Sequence, residues 1–144
     1  MIYSMKETCK KAEMTYEALK YYCNQGLVPN VKRDKNNYRI FDDNDLEWLF
    51  HLTCLKKCGM SIQNMKTYLA LCLQGQASIP ERQVILDKQR EELITQIDDL
   101  KKCVEYIDHK QEFYNGVLDG TIKYYSNLIQ SEPTNPSNRT DCSY

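Results

Sequence analysis

The sequence predicts a mainly α-helical protein: a winged helix-turn-helix head with a small β-hairpin wing, then further helices and a long C-terminal coiled-coil helix. Three observations predict it. Residues 15–41 read as a helix, a glycine stop and a basic hairpin around Asn36 and Asn37. Residues 79–118 carry apolar side chains seven apart. Charge is divided unevenly: residues 1–41 hold eight Lys/Arg against four acids, and residues 42–144 hold eleven against sixteen, so a head of net +4 precedes a body of −5. A basic head on an acidic, solvated body fits nucleic-acid contact.

Each element has a local cause. Ser4 and Glu7 form a capping box, and Met5, Cys9 and Ala12 follow as one narrow stripe, giving a short helix from Met5 to Lys11. Thr15 caps a second helix, in which Leu19, Tyr22 and Cys23 face inward and which Gly26 ends. Two short helices about a turn at Ala12–Met14 make a helix-turn-helix. Val31–Arg33 and Tyr38–Phe41 are two strands flanking a polar turn at Asp34–Asn37, since Asn tolerates the left-handed backbone such turns need. Pro29 keeps the first strand at an edge.

The acids at 42, 43 and 45 open a third helix. Its residues Leu46, Leu49, Phe50 and Thr53 on one side and Trp48, Leu52 and Leu55 on the other predict near-complete burial, and Gly59 stops it. Ser61 caps a fourth helix, with Ile62, Met65, Leu69 and Cys72 inward, ending near Gly75. The long helix begins near Pro80. Ile79, Leu86, Leu93, Leu100, Ile107 and Tyr114 lie seven apart, and Ile97, Val104 and Leu118 add the four-residue offset of a heptad seam. Gly116 and Gly120 are expected to break it, and Ile122, Tyr124, Tyr125, Leu128 and Ile129 form a short apolar coda. The expected organisation is a head over 1–75, a dimerisation helix over 76–118, a short apolar segment over 119–130 and a disordered tail over 131–144. A lone seam helix cannot bury its stripe on itself, so a second copy of the chain is the expected partner.

No apolar run approaches the roughly 18 residues of a membrane span, and the N-terminus shows no apolar signal segment. Seven cysteines, none in a CxxC pair, with no secretion signal, point to a reducing cytosol and free thiols. No acid pair, phosphate loop or nucleophile elbow appears, so neither an enzyme nor a cofactor is expected. His51 and His109 sit in no ligand-spaced cluster.

The chain resembles the MerR family of bacterial transcription regulators. The likeness is carried, in order, by YSMKETC (3–9), LKYYCNQGLVP (19–29), NYRIFDDNDL (37–46) and LKKCGMSI (55–62), and spans about residues 3–115. Lys20 stands where the family usually has Arg, Glu13 where a turn Gly is common, and Asn37 where the wing Gly usually sits. CLKKCGMSI, LCLQG and IPERQVILDKQ are similar to the branch that senses reactive aldehydes, electrophiles or nitrosative stress, which keeps a cysteine at the position of Cys54. The metal-sensing members carry a cysteine pair after the long helix, and residues 113–130 hold none. The resemblance implies an antiparallel homodimer on a palindromic promoter with an overlong spacer, which it bends and untwists so that RNA polymerase can engage.

On that reading Thr15, Tyr16, Lys20, Tyr21 and Tyr22 of the second helix, and Lys32, Arg33, Lys35, Asn36, Asn37, Tyr38 and Arg39 of the wing, face DNA. Tyr22 also lies on the apolar stripe, and a basic strip taken alone is as well read as a solvated face. Leu86, Leu93, Ile97, Leu100, Val104 and Ile107 form the dimer seam. Cys54 is the candidate sensor and Cys58, four residues on, its partner. The alternative for Cys54 is a small buried hydrophobe. Lys56 and Lys57 favour a thiolate there, whereas a helix C-terminus opposes one. Cys9, Cys23, Cys72 and Cys103 read as packing. Two other inputs or functions stay open: a small organic ligand or soft metal held by Cys54 and Cys58, and a coiled-coil interaction protein without DNA binding.

Overall fold

A computed structural model describes residues 1–129. The expected tail and Cys142 lie outside the described residues. The order of elements is β1 (Ile2–Ser4), α1 (Met5–Lys11), α2 (Tyr16–Asn24), β2 (Lys32–Arg33), β3 (Arg39–Asp42), α3 (Asp43–Lys57), α4 (Ile62–Leu73), a 3-10 turn over Gln76–Ser78, and α5 (Ile79–Leu118). The chain divides into two compact units, Met1–Leu93 and Ile94–Tyr144.

The first unit is built on a three-stranded antiparallel sheet of order β1-β3-β2. Tyr3 pairs with Phe41, and Arg33 with Arg39. Alternation along the strands puts Tyr3 and Phe41 inward together. β1 escapes a reading by pattern because it is three residues long and runs straight into Ser4, whose capping box is present as expected. α2 and α4 begin on the expected Thr15 and Ser61 caps, and α3 on a capping box between Asp42 and Asp45. Leu19, Leu27, Leu49, Leu52, Met60 and Met65 meet Phe41 in the core. Trp48 Nε1 donates to the Leu27 carbonyl at 2.7 Å, fastening α3 to the end of α2's loop. Glu13 and Asn37 both take positive φ, 52° and 66°. Both sit in turns, where the backbone takes the left-handed shape usual for glycine while carrying an L side chain.

Two expectations fail here. Phe50, read as one of two buried faces of α3, is 63% exposed. The core covers the side of α3 bearing Asp45, Leu49 and Leu52, and Phe50 follows Leu49 by about 100° around the helix. Gly116 does not break the helix, because α5 runs on to Leu118. It is there because Ile122 folds back on it: a Cβ at 116 would lie 2.7 Å from Ile122 Cγ1, and the Ile122 N–H donates to the Gly116 carbonyl at 2.9 Å. Gly120, at φ 84°, makes the turn that permits this. In the same second unit the rings of Phe113 and Tyr125 meet edge to face at 5.5 Å.

Candidate nucleic-acid interface

The wing turn is built by Asp34. Its backbone N–H donates to the Tyr38 carbonyl at 2.9 Å, and its Oδ1 accepts from the Asn36 and Tyr38 N–H groups at 2.8 and 3.0 Å. Asn37 supplies the left-handed residue. The turn therefore spends Asp34 internally and leaves Lys32, Arg33, Lys35, Asn36, Asn37 and Tyr38 exposed. Arg33 Nη1 donates to the Asn37 carbonyl at 2.8 Å, which holds one guanidinium against the turn. Arg39 Nη2 donates to Asn24 Oδ1 at 2.7 Å, which ties the wing to the end of α2 and fixes a second guanidinium.

A groove of about 430 Å³ lies between α1, the start of α2 and the wing, lined by Ser4, Met5, Lys6, Tyr16, Arg33, Asp34, Asn37, Tyr38, Arg39 and Ile40. It gathers Tyr16 with Arg33, Asn37, Tyr38 and Arg39. Tyr16, Lys20 and Tyr21 are exposed on α2. Thr15 is exposed but its hydroxyl oxygen accepts from the Ala18 N–H at 3.1 Å as the cap. Tyr22, expected to reach phosphate, is corrected: it is 3% exposed, a core residue whose hydroxyl has no protein partner. Tyr22 shares the inward stripe of α2 with Leu19, and the core cluster it joins with Leu19, Leu52 and Met65 covers its polar tip as well as its ring. Lys6 was missed. The pairing of β1 with β3, with the Ser4–Glu7 capping box starting α1 directly after β1, sets it beside the wing.

Cys54 and Cys58 are both half-buried on the last turns of α3. The Cys58 N–H donates to the Cys54 carbonyl at 3.0 Å, closing the helix. Lys56 Nζ lies 6.0 Å from the Tyr22 ring centre. Burial pushes the Cys9 and Cys23 thiols up, as befits packing groups. Cys103, expected to pack, is instead exposed on α5. Among the described residues no three His, Cys, Asp or Glu side chains gather as a metal site, and no helix is long and apolar enough to cross a membrane. In the second unit Ile97, Leu100, Val104 and Ile107 are each more than half exposed. A shallow apolar groove of about 450 Å³ is lined by Ile97, Leu100, Lys101, Val104 and Glu105. Leu86 is exposed and Leu93 half-buried.

A helix-turn-helix, a basic wing and a groove between them define a DNA-binding transcription regulator of the winged helix-turn-helix class. Residues 3–72 match the MerR HTH family regulatory protein family. An uncharacterized HTH-type transcriptional regulator of Haemophilus influenzae is 34% identical over 114 residues, covering 79% of this chain and 84% of its own length. The chain belongs to the MerR family. The HTH-type transcriptional regulator AdhR of Bacillus subtilis is 31% identical over 91 residues, 63% of this chain and 65% of the relative. Among solved structures, HiNmlR, a MerR family regulator lacking the sensor domain and bound to promoter DNA, is similar at a TM-score of 0.69 and 33% identity, over 83% of this chain and 90% of that one.

Proposed function

We propose that a homodimer of this chain binds a palindromic promoter in bacterial cytoplasm, bends and untwists it for RNA polymerase, and responds to a reactive aldehyde or other electrophile at Cys54. The observation that carries the DNA part is the groove in which Tyr16 meets Arg33, Asn37, Tyr38 and Arg39. A convex phosphate backbone fits a concave surface lined by two guanidinium groups and two phenols, with Lys20, Lys32 and Lys35 exposed beside it. The exposed stripe Ile97, Leu100, Val104 and Ile107 supports the second copy. The half-burial of Cys54, together with the likeness of the residues around it to the electrophile-sensing branch, supports the input. In that step the Cys54 sulfur attacks the carbonyl carbon, a C–S bond forms, the C=O π pair moves to oxygen, and the thiol's proton ends there as a hemithioacetal hydroxyl, with no change of oxidation state.

The test uses a duplex from immediately upstream of the chain's own reading frame. Binding should weaken steeply with salt, and Arg39→Ala should reduce the log–log salt slope by about one. Formaldehyde should change transcription from this promoter with the wild type and not with Cys54→Ser. Salt-insensitive or absent binding defeats the DNA reading. An undiminished formaldehyde response in Cys54→Ser defeats the covalent input alone.

A further inference from the structure

The last carbonyls of a helix have no partner inside it, and in the first unit two helix ends are served by α5. Arg82 Nε donates to Ser78 Oγ at 2.9 Å, and Ser78, almost wholly buried, sits with Arg82 against the Leu71 and Gly75 carbonyls at the end of α4. Two turns on, Gln89 Nε2 donates to the carbonyl of Cys58, the C-cap of α3, at 2.6 Å. Gln89 is 7% exposed, a buried amide on a helix whose neighbouring positions face solvent. Arg82 and Gln89 are seven residues apart and so lie on one stripe, with Ile85 between them packed on the core. The stripe is a clamp, polar at both ends and apolar in the middle.

The two ends of the clamp differ in what they hold. Arg82 grips its own neighbourhood, seven residues back. Gln89 reaches across 31 residues of sequence to α3. α3 starts on Asp42, the last residue of β3, so one unbroken stretch runs from Arg39 in the wing through α3 to the carbonyl that Gln89 holds. Gly59 turns the chain away there at φ 81°, which opens that carbonyl to the side, and a Cβ at 59 would already touch Gln89 Nε2 at 3.6 Å.

We infer that Gln89 is a positioning residue: through the Cys58 carbonyl it sets the direction of α5 from the direction of the wing, and so couples the distortion of bound DNA to the helix bearing the seam. This rests on the DNA-binding reading above. Gln89 is buried and does not line the groove. Losing it leaves the Arg82 grip and the Ile85 packing intact, so the head folds and binds while α5 loses its hydrogen bond to the end of α3.

The experiment compares the full-length wild type with Gln89→Leu, which keeps the bulk and removes the donor, and Gln89→Asn, which keeps the donor one methylene short. The probe is the upstream duplex with a dye at each end. Anisotropy reads binding and energy transfer at saturating protein reads end-to-end distance. Both variants should bind with the wild-type salt slope, yet shift the ratio of distorted to relaxed bound DNA by at least about fivefold, the low end of ordinary coupling factors. Thermal melting shows which variants are folded, and Gln89→Asn carries the test if Gln89→Leu is not. Wild-type energy transfer in every folded variant overturns the inference. Absence of binding by the wild type overturns the DNA reading instead, and this inference with it.

Discussion

α3 and α5 both carry apolar residues at helical spacing, yet the chain treats these stripes in opposite ways. In α3, Leu49 and Leu52 are fully buried against Leu19, Phe41 and Met65. In α5, Leu100 is 65% and Val104 57% exposed. Helical periodicity reports which residues share a face, and says nothing of whether the partner face belongs to the same chain. Where the partner is in the same chain, burial is independent of concentration. Where it is not, burial waits on a second molecule. The contrast therefore separates intrinsic stability from assembly, and substitutions of one kind at the two places can break it or sharpen it.

The largest effect is expected in the head. Leu49→Ala should cost about 2–5 kcal/mol, the usual range for a fully buried leucine whose cavity cannot collapse. The measurement is urea unfolding, and the loss should be the same at all protein concentrations. Leu100→Ala should do much less to an isolated chain, within about 0.5 kcal/mol as for an exposed position. It should instead weaken self-association in sedimentation, and with it the concentration dependence of melting. Should Leu100→Ala destabilise a dilute, monomeric sample as severely as Leu49→Ala, the stripe is covered within one chain and the contrast is wrong.

Most of the head was legible because its signals are short-range. Capping residues Ser4, Thr15 and Ser61 start helices where expected, and Asp34 to Asn37 makes the expected turn. What escaped depended on tertiary contact. Tyr22 carries both a core ring and a polar tip, and only the packing of Leu19, Leu52 and Met65 around it decides which prevails. Phe50 looks buried until the core is seen to cover one side of α3. Gly116 reads as a stop, whereas its missing Cβ makes room for Ile122. Gln89 is not legible in the sequence, since nothing local reveals that a carbonyl 31 residues earlier needs its amide. The groove was legible as a residue set, Tyr16 with Arg33 to Arg39, but not as a concavity, because its far wall, Lys6, is placed by β1 and α1.

The smallest effect concerns the junction of the wing and α3, where the head's polar and apolar demands meet. Asp45 Oδ2 accepts from the Asp42 N–H at 2.9 Å in the capping box, and the residue is 4% exposed. Burial pushes its carboxyl above the ordinary aspartate value, although the Asp42 backbone hydrogen bond pulls the other way. A raised carboxyl means that the folded chain binds its proton at a higher pH than the unfolded chain does. Stability from this group therefore falls as pH rises from the unfolded value through the folded one. Asn keeps the accepting oxygen and never ionises. Asp45→Asn should accordingly gain relative to wild type at neutral pH, by less than about 1 kcal/mol because the Asp42 backbone hydrogen bond to the charged carboxylate offsets part of the desolvation. The gain should shrink as pH falls through the raised folded value and be gone below about 4, where the wild-type carboxyl is protonated in both states. Urea midpoints of the two proteins across that range measure it. A gap that stays constant with pH would mean that charge is not what burial penalises at Asp45, and that the helix N-terminus offsets the desolvation in full.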